Sequence, residues 1–383
     1  MTFLRNEKVR AILYQLITII LFALFILYIA QNTAHNIEAR GIKSGFDFLN
    51  HASGFDITET PIPYSSSSTH WKVFEVGLIN TLIVSFFGII LSTILGLIVG
   101  VARLSPNWIV KTMASTYIEI FRNIPILLQI LFWYNVVLAA MPSARQSYSF
   151  FDSFFINQRG LFFPKAIFLD NAWIVGLGFI VAIIAGWFVK RYAEKKLDEE
   201  GKELPVFTIN LALLIIIPII TYFIAGKPIN FEYPEFHGFN FRGGSTFTPE
   251  FLALLLALSV YTAAYIAEAI RSGIEAVSKG QKEAATSLGL SPMQSLKLVV
   301  LPQAIRVSIP PIINQYLNLI KNSSLAAAIG YPELVTVFAG TSLNVTGQAL
   351  EIIGITMLTY LIISLLVSLI LNIFNKKMKI KER

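Results

Sequence analysis

The sequence predicts an all-α integral membrane protein with about eight transmembrane helices, and three observations carry that prediction. Hydrophobic residues make up 55% of the 383 positions and charged residues only 14%, against roughly 25% charged in a water-soluble domain. Mean hydropathy is +0.66, and the apolar residues gather into runs of about 20, the length that crosses a hydrocarbon core roughly 30 Å thick. The basic residues behind the net charge of +7 fall in short segments between those runs, as the positive-inside rule arranges them. Composition excludes other classes as well. The chain is too apolar for disorder, its charge placement argues against a nucleic-acid surface, and the absence of cysteine removes disulfides, Cys-ligated zinc, iron–sulfur clusters and thiol catalysis.

The runs follow in order. Residues 11–30 are uncharged and come after Arg5, Lys8 and Arg10. This apolar stretch is longer than a signal peptide's and has no clear small-residue cleavage site, so an uncleaved first helix is expected. Residues 76–102, 124–141, 172–189, 206–225 and 251–267 follow, and 352–374 is the last clear run. Between these last two, 309–330 is apolar but interrupted by Asn314, Asn318 and Lys321; counting it gives eight. With the N-terminus inside, the inner segments 1–10, 103–123, 190–205, 268–308 and 375–383 hold 21 Lys and Arg, and the outer segments 31–75, 142–171 and 226–250 hold 8. Dropping any one helix inverts the downstream bias, so eight helices with both termini cytoplasmic is the consistent topology.

The segment from Glu268 to Ser308 is the most informative. Residues 283–288 are good helix formers, and Gly289 supplies a left-handed stop. Ser291-Pro292 then opens a second short helix, with Ser at the cap and Pro at its first position. Leu296, Leu298, Val299, Val300 and Leu301 follow before Pro302. A compact helix–turn–helix on the cytoplasmic face is expected, with small residues at 284 and 285 leaving a face that another protein can approach closely. The bland alternative is an amphipathic surface loop.

The spacing Glu283-Ala284-Ala285, three residues, Gly289, nine residues, Val299, one residue, Leu301-Pro302 resembles the EAA loop of ABC-importer permeases, with Val299 where the family prefers Ile. Five further segments narrow the resemblance: residues 77–82 and 100–105 at the two ends of the second helix, Phe121-Arg122-Asn123-Ile124-Pro125, residues 261–268, and Lys279-Gly280-Gln281 leading into the EAA residues. Together they resemble the polar amino-acid permeases, the histidine/glutamate/general amino-acid group, and within it the longer general L-amino-acid type. The resemblance covers 76–141 and 243–375. It implies a type I ABC-importer permease fold over 76–375, preceded by an N-terminal helix and outer loop at 1–75 and followed by a basic cytoplasmic tail at 376–383. Residues 143–242, with two extra helices, read as an insertion. The resemblance further implies that Glu283, Ala284, Ala285, Gly289, Leu301 and Pro302 couple to a separate cytoplasmic ATPase.

Asn314, Asn318 and Lys321 fall at i, i+4 and i+7, on one helix face, and Asn322, Ser323 and Ser324 extend the polar stretch. Burying Lys321 near mid-membrane costs about 2.5–3.5 kcal/mol on insertion scales, so it should face water or a partner. The stretch reads either as a face lining the route of a zwitterionic solute, with Lys321 near the carboxylate, or as a helix–helix contact. Pro310-Pro311 fits a bent or broken helix. Gly96 and Gly100 make a GxxxG pair one turn after Ser92, which close helix packing explains. Arg122 and Glu268 sit at cytoplasmic ends, where Arg122 reads as an interfacial anchor or as part of a gate with Glu268.

An enzyme finds little support. His35, His51, His70 and His237 all fall in outer segments without paired-ligand spacing. No GxxxxGK[ST] segment occurs, so no cofactor is expected on this chain, with ATP and magnesium on the partner ATPase. The expectation is a non-catalytic permease subunit of an amino-acid importer in a bacterial inner membrane. Its partners would be ATPase subunits, a second homologous permease or a copy of itself, and a periplasmic solute-binding protein. The runner-up, an ion-coupled secondary transporter, calls for acids within the membrane, and none lies in the expected helix interiors.

Overall fold

The computed structural model describes residues 7–39, 41 and 44–378; Arg5 of the first basic segment and residues 379–383 of the basic tail lie outside the described residues. The chain divides into two compact units, Met1–Tyr134 with Ala253–Arg383, and Asn135–Leu252. Among the described residues seven helices are long and apolar enough to cross a membrane, or eight with one bent pair counted as a single span. The count agrees with the sequence, but several boundaries do not.

In the first unit α1 (Glu7–Ala39) is exposed along its apolar window. Helix α2 (His70–Arg103) starts where the Thr69 side chain accepts the Lys72 N–H, a standard N-cap. At 34 residues it is about 50 Å long and outreaches the hydrocarbon on its own. The expected third span, 124–141, is corrected. Residues 108–123, read as a cytoplasmic loop, form the helix α3 (Trp108–Asn123), capped by Asn107, and a short α4 (Ile126–Phe132) turns 103° away from it. The cause is Pro125, which pushes Ile124 into an extended conformation, φ −95° and ψ 128°. Gln129 then donates to the freed carbonyls of Phe121 and Ile124, both at 3.0 Å. A search for uncharged runs passes over α3, because its apolar side chains alternate with Lys111, Glu119 and Arg122.

Helix α7 (Pro249–Glu275) is the centre of this unit, with two thirds of its apolar window buried. Helix α2 lies against it at the GxxxG pair: a Cβ added at Gly96 would come 2.6 Å from Ile266 Cγ2, and one at Gly100 3.1 Å from the Ala267 carbonyl oxygen. The close-packing reading of that motif holds. After α7 come α8 (Lys279–Ser287), α9 (Pro292–Ser295), a π turn over Leu296–Val300, and α10 (Leu301–Asn322). The second helix of the expected helix–turn–helix is therefore not a separate short element ending at Pro302. It runs on into the membrane-spanning α10. Pro302 has no N–H to return to the Leu298 carbonyl, and the chain absorbs the loss by widening the preceding turn, so that the Leu301 N–H reaches the Leu296 carbonyl. Pro310 and Pro311 likewise lie inside α10 without breaking it; the helix gives way only after Asn322, to a 3-10 stretch at Ser323–Ala328. A π segment at Val335–Ser342, the single turn α11 (Leu343–Thr346) and the final α12 (Ala349–Met378) complete the unit.

The second unit departs from the all-helical expectation over two short stretches. Strands β1 (Tyr148–Phe150), β2 (Phe154–Asn157), β3 (Gly160–Phe163) and β4 (Lys165–Phe168) precede its helices. After them come β5 (Ile229–Glu232), β6 (Glu235–His237), β7 (Asn240–Arg242) and β8 (Ser245–Phe247). A four-stranded antiparallel sheet runs β1-β2-β3-β8, with Phe162 opposite Thr246, and β4 pairs with β5. Phe241 stacks beside Phe155 and Phe162 at 4.6 and 4.9 Å. Between the strand groups lies a helical hairpin of α5 (Trp173–Glu200) and α6 (Val206–Ile224). It is packed so closely that a Cβ at Gly178 would meet Thr221 Oγ1 at 2.3 Å and one at Gly186 would meet Asn210 Oδ1 at 3.1 Å. Helix α5 continues eleven residues past the expected end at 189, through Lys190–Glu194 and Lys195–Glu199 pairs, until Gly201 stops it at φ 67°. The inserted stretch of the sequence reading, 143–242, falls inside this unit.

Candidate functional site

The segment 279–302 is built as the sequence reads at its first turn. Gly289 has φ +76°, the Leu290 N–H reaches the Ala285 carbonyl at 3.1 Å, and the Gly289 N–H reaches Thr286 at 2.9 Å. This double closure is a Schellman motif, for which a left-handed residue is required. Ser291 and Gln294 then form a reciprocal capping box: the Gln294 N–H donates to Ser291 Oγ at 3.4 Å and the Ser291 N–H donates to Gln294 Oε1 at 2.9 Å.

Of the residues singled out here, Glu283, Ala284 and Gly289 are exposed, as are Leu301 and Pro302 at the start of α10. Ala285 is not. It is 2% exposed and packs into its own chain, so only one of the two small residues leaves an open face. The turn also exposes apolar side chains that sequence reasoning passed over: Leu288 at 80%, Leu298 at 66% and Met293 at 59%. Leucine in a helix-forming run carries no signal of its own; exposure is what distinguishes these three.

Behind the turn, Val277, Val300 and Ala304 form a buried cluster with Ile274 against it. Ser308 Oγ lies 3.0 Å from the Ala269 carbonyl oxygen, and a Cβ at Gly273 would sit 1.9 Å from that hydroxyl. Helices α7 and α10 thus grip each other just beyond the turn.

Arg122 and Glu268 do come together, with two further arginines. Glu268 accepts from Arg103 at 2.8 Å and from Arg271 at 2.6 Å, and Arg271 also pairs with Glu275. The Arg122 guanidinium lies 5.2 Å from the centre of the Tyr265 ring, one turn before Glu268, and Tyr265 Oη donates to the Arg122 carbonyl at 3.3 Å. Arg122 Nε is shielded from water and has no hydrogen-bond partner among the described residues. One carboxylate therefore ties the end of α2 to α7, with the α3–α4 bend beside it.

On α10 the side chains Asn314, Asn318 and Lys321 are all exposed and share one face, while Ala304, Ser308, Ile313, Leu319 and Ile320 are buried on the other. Tyr316, off that face, meets Thr93 of α2 at 2.7 Å. Asn322 is half-buried, and Ser323 does not join the stripe: it is fully buried and its hydroxyl donates to the Ile320 carbonyl at 2.7 Å. A hydroxyl that folds back on its own helix is a packing element.

The structure also holds a buried acid that the sequence reading missed. Glu333, 0% exposed, lies between α10 and the π segment and accepts from four donors: the Val335 and Thr336 N–H groups, the Thr336 hydroxyl and Tyr360 Oη of α12, at 2.8–3.0 Å. Burial pushes its carboxyl above the usual carboxylate range, with the four donors pulling the other way. So saturated, it acts as an internal helix cap. The signal available in the sequence was an acid two residues before a helix start.

Comparison with known proteins agrees with this anatomy. Residues 175–380 match the family described as "Binding-protein-dependent transport system inner membrane component". YhdX of Escherichia coli (strain K12), named as an amino-acid ABC transporter permease protein, is 47% identical over 99% of this chain and 96% of its own length. The general L-amino acid transport system permease protein AapQ of Rhizobium johnstonii is 45% identical over 99% of this chain and 94% of its own length. The glutamate/glutamine/aspartate/asparagine transport system permease protein BztB of Rhodobacter capsulatus is 40% identical over 99% and 96%. With a family match across more than half of its residues and such identities along nearly its whole length, the chain belongs to the inner-membrane permease components of binding-protein-dependent ABC transport systems, and is a multi-pass protein of the inner membrane.

Proposed function

We propose that this chain is the membrane-spanning permease subunit of an amino-acid ABC importer. The observation that carries the reading is the length of the relationship: permeases named for amino-acid transport align from end to end with this chain, so the likeness takes in the coupling turn, the polar stripe and the inserted unit together. The chain itself is non-catalytic in this reading. ATP and magnesium reside on cytoplasmic ATPase subunits, a solute-binding protein delivers the cargo from outside, and a second permease, homologous or identical, completes the pathway. Both termini lie in the cytoplasm, consistent with the Lys and Arg bias.

The turn around Gly289 docks on the ATPase, presenting Glu283 and Ala284 together with the apolar side chains Leu288, Met293 and Leu298. Exposed leucines beside a rigid double cap suit a knob entering a groove, because burial of each contributes about 1.5–3 kcal/mol and the cap has already met the entropic cost of ordering the turn. Closure of the ATPase dimer moves the turn, and the Val277, Val300 and Ala304 cluster passes the movement to α7 and α10. The Glu268 pairs with Arg103 and Arg271 lock the cytoplasmic end of α7 to α2 in one state of the cycle and loosen in the other.

Asn314, Asn318 and Lys321 line the route. Three polar side chains exposed on one face of a membrane helix need water or polar cargo opposite them, and Lys321 supplies the charge for the carboxylate of an amino acid. Ser323 serves packing instead. The test is mild-detergent purification of the tagged chain from native membranes with identification of what accompanies it, alongside uptake of radiolabelled L-amino acids. A co-purifying P-loop ATPase and ATP-dependent uptake are expected; a chain that emerges alone and transports on an ion gradient overturns the reading.

A further inference from the structure

Glu119, expected in an inner loop, is carried by α3 to the middle of the spans. One face of α3 is packed: Ala114 and Ile118 are 6% and 0% exposed, and Tyr117 Oη donates to the Val260 carbonyl at 2.8 Å. Residues 117–119 therefore stand beside the middle of α7, which runs from Pro249 to Glu275. The opposite face is polar. At about 100° per residue, Lys111, Thr112, Ser115, Thr116, Glu119 and Asn123 fall within an arc of about 140°. Ser115 is half-buried and the other five are exposed, and a groove of about 520 Å³ runs along this face from Lys111 to Glu119. To one side lies an apolar strip, with Met113 exposed at 69%.

Lys321 of α10 lies at the same depth. Helices α2 and α7 run in the same direction, with Gly96 against Ile266 and Gly100 against Ala267. Gly88 comes eight residues before Gly96, about 12 Å along α2, and a Cβ there would meet Leu319 Cδ2 at 3.2 Å. Val260 comes six residues before Ile266, about 9 Å along α7. Glu119 is two residues past Tyr117 and Lys321 two residues past Leu319, so the two charges are level to within about one helical turn. Helix α4, directly after the α3 bend, packs on the 3-10 stretch that directly follows α10, which brings the ends of the two helices together.

Neither charge is neutralised by its own chain. Among the described residues the Glu119 carboxylate accepts only from Asn123 Nδ2, at 3.4 Å, and neither Glu119 nor Lys321 joins an ion pair. Arg122, three residues on from Glu119, turns to the Tyr265 ring instead. An exposed acid at this depth cannot face hydrocarbon; it calls for water or a charged partner opposite it. An acid and a base at one level, unpaired with each other, match the two charges of a zwitterion.

We propose that Glu119 lines the route beside the α10 stripe and takes the ammonium of an α-amino acid whose carboxylate is held by Lys321. The inference rests on the amino-acid reading above and deepens it, because the two groups common to α-amino acids are then both met, whatever the side chain.

The chain contains no cysteine, so Thr116→Cys puts one thiol on the polar face, a turn from Glu119, and Met113→Cys puts one on the apolar strip. The assembled transporter in nanodiscs, open to buffer on both faces, is treated with a water-soluble maleimide, and the label is read on this chain by mass spectrometry. Thr116→Cys should label at least about tenfold faster than Met113→Cys, since a thiol facing lipid does not ionise. L-Glutamate and L-leucine should slow labelling of Thr116→Cys about tenfold when present at about ten times their Kd. Glutarate and 4-methylpentanoate, which lack the ammonium, should leave it unchanged. Glu119→Gln should remove the protection and Glu119→Asp should retain it. Equal labelling of the two thiols, protection by the acids as well, protection that survives Glu119→Gln, or no protection at all overturns the assignment. Uptake by the same transporter in proteoliposomes separates the two levels: import of either amino acid without protection refutes the role of Glu119 alone, and import of neither refutes the functional reading with it.

Discussion

Replacing Gly289 with valine isolates the backbone requirement of the coupling turn. A Cβ at Gly289 would have nothing within 4 Å, so the substitution adds no clash, and the exposed position loses no packing. What remains is the conformation. At φ +76° an L-residue pays about 1–2 kcal/mol, and a β-branched one lies toward the upper end of the 1–3 kcal/mol typical of strained backbone. Taking about 2 kcal/mol, the equilibrium constant for the Schellman closure falls about 30-fold at tenfold per 1.4 kcal/mol. Leaving the left-handed region also forfeits the paired bonds from Leu290 to Ala285 and from Gly289 to Thr286. Uptake by the reconstituted transporter should drop at least twofold and at most by that factor, the co-purifying ATPase should fall with it, and the amount of inserted permease should stay constant. Gly289→Asn, which tolerates the left-handed region, should retain uptake within about threefold. The reasoning is refuted if the valine variant keeps more than half of wild-type uptake, or if asparagine is as damaging as valine.

Other perturbations test the remaining joints. Gly96→Leu forces a side chain into the 2.6 Å gap to Ile266 and should destabilise the α2–α7 contact by about 1–3 kcal/mol, read as a lower unfolding midpoint in detergent. Glu268→Gln removes the charge shared by Arg103 and Arg271 and turns one of its two acceptor oxygens into a donor; at about 1.5–3 kcal/mol for hydrogen bonds to a charged group, it should raise basal ATPase activity of the assembled transporter by loosening the cytoplasmic end. Glu333→Gln places an amide NH₂ against N–H and hydroxyl donors and should cost about 1–3 kcal/mol of stability, so a variant with an unchanged unfolding midpoint would contradict the internal-cap role. Lys321→Leu should lower uptake at least tenfold and Lys321→Arg much less, with ATPase co-purification unaffected in both; equal uptake by the leucine variant removes Lys321 from the pathway.

The coupling turn was legible because its chemistry is local. A left-handed glycine and a Ser-Pro cap act within a few residues of themselves, and the structure puts Gly289 and Ser291 where those rules require, with Gln294 completing the cap. The i, i+4, i+7 stripe of α10 was legible for the same reason. Helix α3 was missed because an amphipathic helix has no uncharged run. Its 103° turn into α4 could have been read from Pro125, which forces the residue before it out of helical geometry. The strands of 148–168 and 229–247 were not readable, since each is three or four residues long, and two of their pairings, β3 with β8 and β4 with β5, form across a helical hairpin, as Phe162 does with Thr246. Ser323 and Ala285 looked like their exposed neighbours, yet the direction each faces is settled by what packs against it.

Composition and local helix chemistry thus determined that this chain spans a membrane about eight times and that a glycine-stopped helix and a Ser-Pro cap form the turn around Gly289. These properties depend on residue type and on separations of a few positions, which a linear chain displays directly. Tertiary structure alone decided which members of each polar cluster are exposed, that Glu333 is buried and meets Tyr360, and that α7 and α10 clasp just behind the turn. These turn in part on contacts between positions tens of residues apart, such as Glu333 with Tyr360 and Ser308 with Ala269, and such pairings exist only once the chain has closed on itself.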